Sequence, residues 1–201
     1  MVLSFIKIMN VILASSSKFR KQLLCKLNIA FTCISPNINE KKLQNETVSD
    51  YVKRLSIEKA KKVAKNRYDS IIIGSDEVAD LNGKILGKPH TKNIAKKQLN
   101  MMSGNKVIFR TGLCVLDSNT GKYYASVSNY SIFFKDLNNK IINTYLNNDD
   151  VLKCAASIRI EGLAINLVKK MRGGDPSSIM GLPLLKLISY LEKFNVPMMS
   201  D

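Results

Sequence analysis

Three consecutive isoleucines, Ile71, Ile72 and Ile73, predict a strand that is buried on both of its faces. Successive side chains of a strand point to opposite sides, so an unbroken apolar run needs cover on each side of the sheet. This requirement favours a layered α/β fold. The run is followed by Gly74-Ser75-Asp76-Glu77, and open α/β sheets bind ligands at such strand ends.

The sequence around this run alternates between strand and helix patterns. Asn82-Gly83 lies between two short apolar segments and predicts a tight hairpin. Apolar stretches bounded by turn residues predict further strands over 11–14, 32–34, 107–116 and 123–134, the last two as an antiparallel pair. Helical spacing and capping residues predict helices over 19–27, 52–63, 92–103, 137–146 and 184–194.

Length and composition are those of one folded domain. The 201 residues are 45% hydrophobic, enough for a sizeable core, and no internal repeat or linker divides them. We therefore expect a single domain over residues 1–201, with residues 1–8 as an N-terminal extension. No stretch approaches the roughly 18 to 20 unbroken apolar residues that span a bilayer, so we expect a cytoplasmic protein with no membrane partner.

The charge of the chain narrows the class of partner. Lys and Arg number 31 against 16 Asp and Glu, a formal net charge of +15, which favours anionic partners such as phosphates or nucleic acid. A solvated surface of a lysine-rich chain explains the same excess equally well. The four cysteines form no CxxC or Cys/His cluster, which argues against a zinc site.

The serine turn 15–17 begins the first segment that can carry chemistry. Hydroxyls and backbone N–H groups at a helix start, next to the cations Lys18, Arg20 and Lys21, are a way to hold a phosphate chain. A capped helix with an exposed basic face is the structural alternative. No GxxxxGK[ST] loop occurs, so a Walker-type site is excluded.

Carboxylates and a second cation follow in the middle of the chain. Asp76 and Glu77 at the end of the apolar strand can bind Mg²⁺ or orient a water, although a solvated turn would contain the same residues. Gly87-Lys88-Pro89 presents a cation on a fixed loop. His90 is the single histidine, which makes a Ser-His-Asp triad improbable. Glu161 precedes a glycine in a further loop.

In their order along the chain, the short blocks in this sequence resemble the Maf family of nucleoside triphosphate pyrophosphatases. Agreement across many ordered blocks is far more specific than any one of them. The resemblance extends over about residues 11–194 and rests on VILASSSKFRKQLL, ISPNINE, EKA, GSDEV, GKILGKP, SGN, TGLCVL, EG and GLPL.

The resemblance implies a fold, a reaction and a set of site residues. The fold is a Maf/ITPase-like mixed α/β sheet in two lobes around a central cleft, often in a homodimer. The reaction is hydrolysis of a nucleoside triphosphate to the monophosphate and pyrophosphate with a divalent cation, Mg²⁺ or Mn²⁺. By matching motifs, Ser15, Arg20, Lys59 and Lys88 bind the phosphates, Glu40 and Asp76 bind the metal, and Asp76 is the catalytic proton acceptor.

The residues at the three positions that distinguish substrate branches are Phe19, Glu77 and Glu161, and they resemble the branch that hydrolyses 7-methyl-GTP. A 7-methylated guanine is cationic, so Phe19 can stack on it through a cation-π attraction of roughly 0.5 to 2 kcal/mol. Its N1–H and N2–H₂ edge can donate to a carboxylate, from Glu77 or Glu161. The sequence departs from this branch in having Lys18 for Pro, Phe19 for Trp and Glu77 for Gln.

Two other functions remain open at this point. A pyrophosphatase for dTTP and UTP, or for a broader set of modified nucleotides, could use the same scaffold. A non-enzymatic regulator of cell division or septum formation would fit the positive charge. The chain has no helix-turn-helix, zinc-finger or RNA-recognition signature, so we expect a small-molecule nucleotide as the partner and no specific nucleic acid.

Overall fold

The structure is a computed structural model that describes residues 9–198; the extension predicted at residues 1–8 lies outside them. Seven strands and five α-helices form this part of the chain. The strands are β1 (Asn10–Leu13), β2 (Phe31–Cys33), β3 (Ser70–Leu81), β4 (Lys84–Leu86), β5 (Lys106–Asp117), β6 (Tyr123–Phe134) and β7 (Val168–Gly173). The α-helices are α1 (Lys18–Cys25), α2 (Val48–Ala64), α3 (Lys92–Met102), α4 (Asn139–Asn148) and α5 (Leu184–Glu192).

All seven strands belong to one mixed sheet in the order β2-β1-β3-β5-β6-β7, with β4 paired to β3. β1 is parallel to both β2 and β3, whereas the remaining pairs are antiparallel. The antiparallel pairing of β5 with β6 and the hairpin at Asn82-Gly83 were both predicted, and both residues of that turn have positive φ, 52° and 87°. The predicted mixed α/β class is therefore confirmed.

The three isoleucines of β3 are fully buried, and their alternation explains the layers on the two faces of the sheet. Ile71 and Ile73 pack with the apolar faces of α1 and α5. Ile72 faces the other side, where it packs with Ala60 and Val63 of α2. The cover that the apolar run requires on both faces is thus provided by helices.

The long strands connect two lobes on either side of a central cleft. At 12 residues each, β3, β5 and β6 extend about 40 Å. Their first lobe contains Ile71 and Ile73 with α1 and α5, and the second contains Ala79 and Phe109 with α3 and α4. The sheet backbone is continuous between the lobes, so the walls of the cleft are joined by its hydrogen bonds.

The end of the central strand is where the sequence prediction was wrong. β3 does not stop at Ile73 but continues through Gly74-Ser75-Asp76-Glu77 to Leu81, because β5 pairs with it along its whole length. Gly74 is required there because a Cβ at this position would collide with the carbonyl oxygen of Ser56 in α2. β7 and three short 3₁₀ segments (Ala155–Ser157, Leu163–Leu167 and Pro176–Met180) were also not predicted.

No helix formed by residues 9–198 is long and apolar enough to cross a membrane.

Candidate active site

The cleft opens at a gap in the edge of β3. β1 pairs with β3 only as far as Ile73, and β4 pairs with it only from Ala79 onward. Residues 74–78 have β5 on one side, and no described strand pairs with them on the other. Side chains from both faces of β3 therefore reach one cavity of about 790 Å³ around this open edge.

The structure brings all nine sequence-predicted site residues to this cavity. They come from the turn before α1, α1 itself, the loop before α2, α2, β3, the loop after β4 and the loop after α4. The residues are Ser15, Phe19, Arg20, Glu40, Lys59, Asp76, Glu77, Lys88 and Glu161.

A buried lysine lies between two carboxylates at the α2 side of the cleft. The side chain of Lys59 is 6% exposed, and its Nζ lies 2.5 Å from Asp76 Oδ1 and 2.7 Å from Glu40 Oε1. Lys59 projects from α2 toward the face of β3 that carries Asp76, while the exposed Glu40 approaches from the preceding loop. The pairing compensates the cost of burying the ammonium group.

These two carboxylates also bear on metal binding. Within residues 9–198, no group of three or more His, Cys, Asp or Glu side chains forms a metal site by itself. Mg²⁺ is usually bound by one or two carboxylates together with waters and substrate phosphates. Glu40 and Asp76, on either side of the same ammonium group, fit a site that a nucleotide completes with its own oxygens.

The serine turn and Arg20 of α1 are hydrogen-bonded to one another, and Arg20 is also bonded to the backbone at Gly181. Ser17 caps α1 by accepting from the backbone N–H of Arg20. Ser15 Oγ accepts from Ser17 N at 3.1 Å and from Arg20 Nη1 at 3.4 Å. Arg20 Nε donates to the carbonyl of Gly181 at 2.9 Å, which restricts the position of the guanidinium at the cavity wall. Lys88 adds an exposed ammonium group from the loop after β4.

Glu77 differs from the other acidic residues of the cleft because its Oε1 atom is buried and has no hydrogen-bond partner among the described residues. Burial raises the pKa of Glu77 to about 8, while Arg20 and Lys88 oppose the rise and the charge of Asp76 adds to it. At neutral pH the side chain is therefore mostly a neutral acid with one O–H donor and one carbonyl acceptor. Glu161, by contrast, is exposed at the cleft rim.

The sequence did not predict the residues that contact the candidate site residues and restrict their positions. Tyr51 lines the cavity and its hydroxyl donates to the backbone carbonyl of Glu40 at 2.7 Å. Its position eight residues before Lys59 on α2 places both on a similar helix face, a spacing that could have identified it. Asp149 and Arg159 contact one another beside Glu161, but Asp149 is 12 residues from Glu161 and no local pattern signals that contact.

The chain matches a known protein family and curated proteins over most of its length. The family model described as Maf-like protein matches residues 10–194. The chain is 45% identical over 190 residues to a 7-methyl-GTP pyrophosphatase of Pseudoalteromonas translucida, covering 94% of each chain. It is 42% identical over 191 residues to a 7-methyl-GTP pyrophosphatase of Colwellia psychrerythraea, covering 95% of this chain and 96% of that one.

A solved structure, that of the Staphylococcus aureus Ham1 protein, is similar with a TM-score of 0.44 and 14% identity, over 63% of this chain and 72% of that one. The family match and the curated relatives each extend over nearly the whole chain. The chain therefore belongs to the Maf family.

Proposed function

We propose that this protein is a nucleoside triphosphate pyrophosphatase that hydrolyses 7-methyl-GTP to 7-methyl-GMP and pyrophosphate, and so removes it from the nucleotide pool. The observation that carries the proposal is the cavity at the open edge of β3, which gathers cations, carboxyl groups and an aromatic ring. Curated relatives more than 40% identical, named 7-methyl-GTP pyrophosphatase, support it.

The cations of the cleft suit a triphosphate. Arg20, Lys59 and Lys88 would bind its oxygens and offset its negative charge in the transition state, and the hydroxyl of Ser15 would donate a hydrogen bond to it. Water adds at the α-phosphorus, the bond from this phosphorus to the oxygen that bridges the α- and β-phosphates breaks, and pyrophosphate leaves. Asp76 would orient that water and accept its proton.

The proposal includes a divalent cation, Mg²⁺ or Mn²⁺, at Glu40 and Asp76. When bound there it would supply positive charge to the phosphates and lower the pKa of a bound water. Lys59 lies between the same carboxylates and keeps them oriented toward the cavity. The family resemblance further supports a single cytoplasmic domain that forms a homodimer.

The base would be recognised by a ring and two different acids. Phe19 would stack on the cationic 7-methylguanine. Glu161, at the cleft rim, would pair with the N–H donors of its edge. Neutral Glu77 would offer a donor and an acceptor, the same pair that a glutamine offers.

The direct test is pyrophosphate release from a panel of 7-methyl-GTP, GTP, dTTP and UTP, with Mg²⁺ and Mn²⁺ compared. We expect the highest kcat/KM for 7-methyl-GTP, and no release after chelation of the metal. The Asp76→Asn variant should lose at least about 100-fold in kcat, because general-base catalysis typically contributes that much. Asp150→Asn, an exposed change outside the cavity, is the matched control and should retain activity.

Two outcomes would contradict the proposal. Faster cleavage of dTTP or UTP would assign the chain to a pyrimidine specificity on the same scaffold. Failure to hydrolyse any nucleotide, together with salt-sensitive binding to DNA, would favour the non-enzymatic regulator instead.

A further inference from the structure

A buried carboxylate, Asp149, holds both sides of the turn that carries Glu161. Asp149 directly follows α4, and its side chain is only 3% exposed. Its Oδ1 accepts from Arg159 Nη1 at 3.1 Å, and its Oδ2 accepts from the backbone N–H of Leu163 at 2.8 Å. Glu161 lies midway between these two contacts in sequence, so the turn is fixed two residues before it and two residues after it.

Two further features tighten the same turn. The hydroxyl of buried Tyr145 donates to the carbonyl of Ser157 and accepts from the backbone N–H of Arg159, both at 3.1 Å. Gly162 lies so close to Asp149 that a Cβ there would collide with Oδ2 of that carboxylate. The glycine after Glu161 is thus explained by the approach of Asp149.

Arg159 contacts the specificity residue itself. Its Nε atom is buried without a hydrogen-bond partner among the described residues and lies at the ion-pair distance of 3.6 Å from Glu161 Oε1, while its Nη1 is hydrogen-bonded to Asp149. Two carboxylates share one guanidinium, so the group of three retains one net negative charge. Because Asp149 already compensates Arg159, Glu161 keeps its attraction for a cationic base while its position is restricted.

We propose that Asp149 and Arg159 are positioning residues that hold Glu161 in the orientation that selects a positively charged purine over an uncharged one. The inference deepens the proposed function and rests on it. Glu161 lines the cavity whereas Asp149 and Arg159 do not, so both would act through Glu161. An acid on an unanchored turn would lose side-chain and backbone freedom on binding, which weakens the contact with the base.

The test compares kcat and KM for 7-methyl-GTP and for GTP in wild type, Arg159→Met and Arg159→Lys. In Arg159→Met we expect KM for 7-methyl-GTP to rise about tenfold, the size of effect expected when one ordered charged contact is lost. KM for GTP and kcat for both nucleotides should stay within about twofold of the wild-type values. Arg159→Lys should restore part of the selectivity, because an ammonium group reaches one carboxylate but lacks the fork that contacts two. Asp149→Asn, which keeps an acceptor for Leu163 N, should also lie between the extremes.

Arg67→Met is the matched control, since it removes the same charge from an exposed arginine outside the cavity, and it should leave the selectivity unchanged. Equal rises in both KM values, or a fall in kcat for both nucleotides, would show a merely structural role and overturn the inference. A wild-type preference for 7-methyl-GTP that survives in Arg159→Met would overturn this inference alone. A wild type without that preference would overturn the proposed function and this inference with it.

Discussion

At the scale of single residues, the protonation state of Glu77 decides what the cleft offers to a ligand. As a carboxylate, it would place a third negative charge beside Asp76 and Glu40, close to where a triphosphate must bind. Burial of its unpartnered Oε1 raises its pKa to about 8, so the neutral acid predominates at pH 7. A neutral glutamic acid has the shape and hydrogen-bonding pattern of glutamine. Glutamine is the residue more common at this position in the 7-methyl-GTP branch that the sequence resembles.

This state predicts a pH-dependent stability difference between wild type and Glu77→Gln. The pKa of Glu77 is higher in the folded chain than its ordinary value of 4.5, so the folded state binds the proton more tightly. The stability from that proton is fully present below about pH 4.5 and is lost as the pH rises through about 8. Glu77→Gln has no proton to lose at this position. As the pH rises, the unfolding free energy of wild type should therefore fall relative to that of Glu77→Gln, by at most about 1.4 kcal/mol per pH unit.

Urea unfolding of both proteins at several values between about pH 5 and pH 9 measures this difference. Glu192→Gln, on the exposed side of α5, is the control for removing a carboxylate. A constant difference between wild type and Glu77→Gln across this range would show that Glu77 is ionised in the folded protein.

The residue scale also shows what the sequence could and could not predict about the site. Ser15, Lys59, Asp76 and Lys88 were predicted because each belongs to a block with a recognisable order. The neutral state of Glu77 was not predicted, because burial of one oxygen depends on tertiary packing. The anchoring of Glu161 by Asp149 was also missed, since it joins two loops with no shared local pattern.

At the scale of elements, α2 holds the preceding loop that carries Glu40. Arg54 donates from Nε to Glu46 Oε1 at 2.6 Å, and from Nη2 to Glu46 Oε2 at 2.9 Å and to the carbonyl of Lys41 at 3.2 Å. Tyr51, one turn earlier on the helix, binds the carbonyl of Glu40. The hydrogen bonds to Glu46 raise the pKa of Arg54, so the guanidinium stays charged.

We expect Arg54→Met to loosen this loop and weaken metal activation. Glu46 is 8% exposed and would lose its paired cation, which should cost about 2 kcal/mol of unfolding free energy, less than for a fully buried pair. Trypsin cleavage after Lys41 and Lys42, followed by mass spectrometry, should be faster. The Mg²⁺ concentration for half-maximal activity should rise several-fold, because Glu40 is less ordered.

Lys53→Met, an exposed change on the same helix, is the matched control. Unchanged cleavage after Lys41 and Lys42 in Arg54→Met would show that Arg54 does not hold the loop.

Element boundaries were predictable where local signals and tertiary pairing agree. Thr91 caps α3 as predicted, and α5 begins at Leu184 after the predicted Pro183. β3 continues past its predicted end because β5 pairs with residues 74–77, and the weak strand propensity of these residues hid this continuation from the sequence. β7, with exposed Lys169 and Lys170 at the sheet edge, lacks the apolar alternation that would have identified it.

At the scale of the whole molecule, net charge and the cleft act on the same ligand. The chain carries a formal charge of +15, and the cleft gathers cations from both lobes where we propose that the triphosphate binds. A field of this sign raises the rate at which an anionic nucleotide reaches the cleft, but it does not change the chemistry of the bound complex. Lysines and arginines that do not contribute to this attraction would simply be solvated residues of the surface, which is the alternative explanation of the net charge given by the composition.

These two explanations predict different responses to salt. If the field guides the nucleotide, kcat/KM should fall about tenfold between about 20 mM and about 300 mM ionic strength, while kcat stays constant, because screening acts on association. Neutralising Lys169 and Lys170 together, on the edge strand and outside the cavity lining, should change this dependence less than a change at the cleft, since screening weakens distant charges more than near ones. Lys88→Gln, at the cleft, should reduce it. A kcat/KM that is insensitive to salt would assign the positive charge to the solvated surface and leave nucleotide capture to contacts made inside the cleft.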